Sequence, residues 1–111
     1  MTTVSTHVLD TARGRPAEGV PVTLDVMDGG AWQRVGREVT APDGRVTGLP
    51  RTGAAGPVSA RLVFTVREYL IRTHGAAFFA EIIVAFEAAP GEHYHVPLLL
   101  APYGYSTYRG S

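Results

Sequence analysis

The chain has 111 residues, no cysteine, and ten basic against ten acidic side chains, for a formal net charge of zero. That length holds one domain, spanning 1–111, with one core, and a chain without cysteine has neither disulfides nor thiolate metal sites. Neutrality removes the basic footprint that nucleic acid requires, no basic helix marks a membrane surface, and no apolar run approaches the ~18 residues needed to span a bilayer.

The opening Met1 to His7 has neither the basic segment nor the apolar run of a signal peptide, so a cytoplasmic location is expected. Val4 to Asp10 reads as a first strand, with Val4, Thr6 and Val8 on one face and Ser5, His7 and Leu9 on the other. Thr11 to Gly19 reads as a loop. Val20, Val22, Leu24 and Val26 alternate with Pro21, Thr23 and Asp25, which predicts a second strand buried on one side only. Asp28-Gly29-Gly30 is a hairpin turn, followed by a strand from Trp32 to about Thr40 that Gly36 interrupts. Pro42-Asp43-Gly44 is a tight turn, and Arg45 leaves it on a short strand. Gly48 to Pro57 reads as an irregular surface loop.

Val58 to Val66 alternates again, and the period then changes. Thr65 to Glu68 fits a capping box opening a short helix that stops at Gly75. Phe78 to Glu87 is apolar on both faces, as in a central or interface strand. Ala89 to Glu92 turns the chain. His93 to Ala101 is a strand in which Pro97 predicts an edge or a bulge. Pro102 to Gly104 bends the chain, and Tyr105 to Arg109 forms a last short strand. The sum is an all-β fold: a two-sheet antiparallel sandwich of about eight strands with one short helix.

Few residues are left to carry chemistry. An imidazole at His7, mid-strand, exchanges protons near neutral pH. His93 and His95 are two apart and so share a strand face. Such a pair supplies two metal ligands but needs a third, and only His7 offers one, if the fold brings it close. His93 follows a turn and is expected to be solvated, whereas His95 lies deeper and is the better acid–base group. His74, at the end of the helix, is explained by the helix dipole alone. Arg45 emerges from a rigid turn, where its planar fork is aimed for carbonyl or anion recognition. The C-terminal segment is aromatic, with Tyr103, Tyr105 and Tyr108, and holds one guanidinium at Arg109.

Four of these stretches occur together and in order: Ser5-Thr6-His7-Val8-Leu9-Asp10, Asp43-Gly44-Arg45, His93-Tyr94-His95-Val96-Pro97-Leu98-Leu99-Leu100, and Tyr108-Arg109-Gly110-Ser111. Together they resemble the transthyretin-like 5-hydroxyisourate hydrolases across the whole chain. The last stretch discriminates, because the thyroid-hormone carriers of that fold lack it. The resemblance implies a transthyretin-like (prealbumin-like) sandwich assembled as a homotetramer, a dimer of dimers with active sites at the dimer–dimer interface. It implies hydrolysis of 5-hydroxyisourate, a cyclic amide, with no cofactor and no metal. His7, Arg45 and His95 are then the expected catalytic residues, with either histidine as base. Tyr108 and Arg109 are expected to orient the small-molecule substrate, and the Ser111 carboxylate to fix a histidine or arginine. A carrier that binds a small ligand without catalysis is the alternative.

Overall fold

Strict alternation gives the first strand, β1 (Thr3–Asp10), two different faces. Val4, Thr6 and Val8 are fully buried, while Thr3, Ser5 and His7 point away from the core. The computed structural model describes residues 2–49 and 56–111. The other elements are β2 (Arg15–Pro16), β3 (Pro21–Asp28), β4 (Ala31–Val39), β5 (Arg45–Leu49), β6 (Val58–Thr65), α1 (Arg67–His74), β7 (Glu81–Ala88), β8 (His93–Ala101) and β9 (Gly104–Thr107). One sheet runs β2-β1-β8-β9, with β5 also paired to β1; the other runs β4-β3-β6-β7. The core lies between them, built from Val8, Leu24, Leu62, Phe64, Ile82, Leu98 and Leu100, all at most 1% exposed. No described helix is long and apolar enough to cross a membrane.

The sandwich expected from the alternation is present, with nine strands among the described residues in place of about eight. The extra one is β2, a two-residue pairing with the end of β1 inside the stretch read as a loop. Among the described residues one pairing departs from the antiparallel rule: β1 and β8 run parallel, from Thr3 opposite His93 to Asp10 opposite Leu100. Pro97 neither ends nor bulges β8. It stands just past the β9 ladder, whose outer pair is Leu98 with Thr107, and its carbonyl accepts from the Thr107 hydroxyl.

Three local expectations need correcting. Thr23 and Asp25 are buried along with the apolar face of β3. The reason is that β3 is central, and Asp25 is covered by Arg34 and by Arg61, whose guanidinium lies 4.5 Å over the Trp32 ring. The helix is capped by Val66, with no side-chain cap, because Thr65 is still paired with Glu81 in the sheet; Gly75 does close it, in the left-handed region. Finally, of the two readings of Phe78 to Glu87 the central strand falls: β7 is an edge strand of this protomer, with Phe78 before it 71% exposed and Ile83 within it 47%. The loop read from Gly48 to Pro57 falls largely on 50–55, outside the described residues; its first residues, Gly48 and Leu49, still belong to β5.

The two glycine turns formed as expected. Gly29 and Gly30, both at positive φ, make the two-residue link of the β3–β4 hairpin. Gly44 closes the Ala41-to-Gly44 turn with a 2.7 Å bond to the Ala41 carbonyl, and its own carbonyl accepts from Val8 N–H at 2.8 Å. Its φ is +79°, and a Cβ there would press into the Val8 carbonyl. Gly44→Ala is therefore expected to cost about 2 kcal/mol or more, seen as a lowered Tm in thermal denaturation. An unchanged Tm would mean that the turn is not the rigid mount of Arg45.

Candidate active site

Three adjacent strands, β5, β1 and β8, carry the polar side chains of the sheet's outer face. Arg45 stands directly opposite His7 across β5 and β1, and Ser5 directly opposite His95 across β1 and β8. With neighbouring strands roughly 4.8 Å apart, Arg45 and His95 flank the strand that carries Ser5 and His7. The parallel β1–β8 pairing does this: it sets the N-terminal halves of both strands side by side, so both histidine motifs meet at one end of the sheet.

Each imidazole is held. His7 Nε2–H donates to the Asp43 carbonyl at 2.8 Å, which fixes the neutral ring with its lone pair on Nδ1. Asp43 is doubly used, because its Oδ1 also accepts from the Arg45 backbone N–H at 3.0 Å. His95 Nδ1 lies 2.8 Å from the Ser5 hydroxyl, which in turn lies 3.0 Å from His93 Nε2. His93 Nδ1 lies 2.6 Å from the Thr3 hydroxyl. His95 is half-buried, and burial first, then the nearby charges of Arg45, His7 and His93, hold its pKa below the ordinary histidine value. It is neutral at neutral pH and so able to accept a proton.

The C-terminal segment crosses this strand at Gly110. Its N–H donates to the His95 carbonyl at 2.7 Å, and a Cβ on Gly110 would stand 2.6 Å from His95 Cδ2. Only glycine lets the backbone lie against that ring. The residues before it turn elsewhere. Arg109 lies 4.5 Å over the Tyr94 ring and 3.6 Å from a Glu92 oxygen, on the face of β8 opposite His95. Tyr108 and Arg109 instead line a second cleft of about 230 Å³ with Val84, Phe86 and Tyr94. Ser111 is exposed directly after the Gly110 bridge. The structure thus brings His7, Arg45 and His95 together and sets Tyr108 and Arg109 apart from them within one protomer.

Two links escaped sequence reasoning. His93 is exposed, as expected, but Ser5 joins it to His95, and nothing in a lone serine signals a bond to a residue 90 positions away. His74 is not a helix-dipole residue alone: its Nε2–H donates to Asp10 at 2.8 Å. Among the described residues, no group of three His, Cys, Asp or Glu is arranged to hold a metal ion.

A held neutral base beside a guanidinium on an open face fits the attack of water on a polarised carbonyl. Comparison with known proteins bears on which carbonyl. Residues 4–110 match the model of the HIUase/Transthyretin family. The 5-hydroxyisourate hydrolase of Salmonella dublin is 43% identical over 109 residues, covering 97% of this chain and 80% of that one. Among solved structures, the 5-hydroxyisourate hydrolase of Klebsiella pneumoniae aligns over 100% of both chains, with a TM-score of 0.82 and 34% identity. Transthyretin from Sparus aurata aligns over 97% of this chain and 96% of its own, with a TM-score of 0.89 and 25% identity.

Proposed function

The chain belongs to the HIUase/Transthyretin family, and from that premise we propose how its outer sheet face works: as the active site of a 5-hydroxyisourate hydrolase. The protein is an enzyme of urate degradation that opens the cyclic amide of 5-hydroxyisourate to 2-oxo-4-hydroxy-4-carboxy-5-ureidoimidazoline. The observation that carries the assignment is His95, kept neutral beside Arg45 and His7 on one open face. A neutral imidazole takes a proton from water, the water oxygen adds to the ring carbonyl, and the proton is returned to the ring nitrogen as the C–N bond breaks. Arg45 faces the oxyanion that develops, and its fixed charge acts strongly where water is excluded. His7, with its Nδ1 lone pair, is the second proton acceptor. Tyr108, Arg109 and Ser111 position the substrate in this reading only in the assembled tetramer, because within one protomer Tyr108 and Arg109 face away from His95. No step calls for a cofactor.

The backbone match to a transthyretin speaks for the fold. A carrier of apolar ligands is disfavoured by the site, because charged groups on its walls weaken apolar binding. The test is direct. Urate oxidase generates 5-hydroxyisourate from urate in a cuvette, and its decay is followed with and without this protein. Faster decay is expected; an unchanged rate would remove the enzyme.

The same reading includes a cytoplasmic homotetramer, a dimer of dimers. Its support is the apolar surface left open on one protomer: Phe78, Ile83, Tyr103 and Tyr108 are all more than 45% exposed, more than a small soluble chain leaves uncovered without reason. Light scattering after size exclusion is expected to give a mass about four times 11.9 kDa. A monomer at micromolar protein would count against sites shared between protomers.

A further inference from the structure

We propose that Ser5 and His93 form a proton relay behind His95, positioning residues for the hydrolysis that carry the proton out to an exposed ring; this rests on His95 acting as a base. The Ser5 hydroxyl has one hydrogen and two imidazole neighbours, His95 Nδ1 at 2.8 Å and His93 Nε2 at 3.0 Å. It donates to one ring and accepts from the other. Two neutral rings on one hydroxyl are therefore locked in complementary tautomers.

Only two arrangements satisfy every bond. In the first, His95 Nδ1–H donates to Ser5, Ser5 donates to His93 Nε2, and His93 Nδ1–H donates to Thr3, whose oxygen is 2.6 Å away. That leaves a lone pair on His95 Nε2, the form of a base. In the second, every donor reverses: Thr3 donates to His93 Nδ1, His93 Nε2–H donates to Ser5, and Ser5 donates to His95 Nδ1. His95 Nε2 then carries a hydrogen, the form of an acid.

Catalysis needs both forms in succession. In the base form, His95 Nε2 takes a proton from the attacking water, forming one N–H bond. The Nδ1 proton passes to Ser5 as the Ser5 proton passes to His93 Nε2. One N–H bond is broken at His95 and one formed at His93, and the hydroxyl is regenerated. His95 is neutral again, now with its hydrogen on Nε2, and the positive charge rests on His93. When Nε2–H is given to the leaving ring nitrogen, the two transfers run backward and the resting state returns.

Surroundings favour this displacement of charge. Half-buried His95 faces Arg45 from β5 and His7 from β1, with His93 along its own strand, and all three disfavour a cation there. His93 is exposed, so a charge placed on it is solvated.

Four measurements test the relay. Ser5→Ala is expected to lower kcat roughly 10- to 100-fold, the usual cost of losing a group that orients a histidine, with KM little changed. Ser5→Thr, which keeps the hydroxyl, is expected to recover most of it. His93→Ala should fall similarly and regain rate with added imidazole. Nitrogen-15 NMR of the imidazoles needs no substrate: the tautomer ratio of His95 in the resting protein should shift in His93→Ala and in Ser5→Ala. Wild-type kcat in both alanine variants, or a His95 tautomer ratio indifferent to both, overturns the relay. A wild-type protein without effect on 5-hydroxyisourate decay would instead sink the functional reading, and the tautomer coupling would still decide whether Ser5 joins the two rings.

Discussion

His7→Ala, Arg45→Ala and His95→Ala are each expected to lower kcat/KM for 5-hydroxyisourate by about two orders of magnitude or more, with Tm near that of the unmodified protein. General acid–base groups contribute roughly 10²–10⁴-fold, and a single oxyanion partner about 10²–10³-fold. Stability is spared because all three side chains leave the outer face of the sheet, while the core residues of β1 and β8 point the other way. Arg45→Lys separates charge from shape. It keeps the cation but loses the planar fork, so only part of the activity should return. Asp43→Ala removes the carboxylate that accepts from the Arg45 backbone N–H but leaves the carbonyl that His7 uses, so its loss should be far smaller. Near-normal kcat/KM in Arg45→Ala would take the oxyanion role away from it.

The acid side of the pH profile adds a signed expectation. The proposed mechanism needs neutral His95, whose pKa lies below the ordinary value of about 6.5, depressed first by burial and next by the Arg45 charge. Activity should therefore persist to a lower pH than an ordinary histidine permits. In Arg45→Ala the positive neighbour is gone, the folded pKa rises, and the acid limb of the residual activity moves to higher pH. A limb that stays in place would assign it to another group, with His7 the first to examine.

How far the sequence reached depended on the kind of information each feature needed. Strands with one buried face, such as Val58 to Thr65, announce themselves by alternation. Glycine turns, such as Gly29-Gly30 and Gly44, do so by their chemistry. The proposed catalytic set was legible only through the motifs of a family, since the spacing of His7, Arg45 and His95 along the chain says nothing about three adjacent strands. Alternation misjudged Asp25, because burial on the second face of β3 depends on Arg34 and Arg61 arriving from its two neighbours. The capping-box pattern at Thr65 lost to the sheet, where that residue already had a partner. The closing motif places Arg109 in the site, and within the protomer it stacks on Tyr94, one strand position from His95 and on the other face, a geometry that position along the chain does not encode. The helix-dipole account of His74 was incomplete for a similar reason: its partner, Asp10, is 64 residues away.

That partner carries the largest expected effect on stability. Asp10 ends β1 on the inner face, 1% exposed, and four donors converge on its carboxylate. Oδ1 accepts from Ala12 and Arg13 N–H, both at 3.1 Å; Oδ2 accepts from the Tyr69 hydroxyl at 2.7 Å and from His74 Nε2–H at 2.8 Å. One carboxylate thus ties the loop after β1 to the helix. Burial by itself would push its pKa up, but the bonds from Tyr69, His74 and Arg13 outweigh it and hold the group below the usual carboxylate range. Asp10→Ala leaves those donors facing a methyl group, and it is expected to cost about 3 kcal/mol or more, since each buried donor left without an acceptor costs about 1–3 kcal/mol. Tyr69→Phe deletes one bond of the four, along with the 3.3 Å bond that Arg13 donates to the same hydroxyl, and should cost about 1.5–3 kcal/mol. The pH dependence has a definite sign. The unfolded carboxyl, near 3.9, takes up its proton before the folded one does as pH falls. The stabilisation is complete above about pH 5 and is lost as pH falls through the folded value. Chemical denaturation at pH 7 and again near pH 3 should show the gap between wild type and Asp10→Ala narrowing in acid. Because Asp10 and His7 point to opposite faces of the same strand, Asp10→Ala should keep most of its kcat at temperatures where it remains folded. Equal stability of the two proteins at pH 7 would show that these bonds only replace bonds to water, leaving apolar packing to dock the helix.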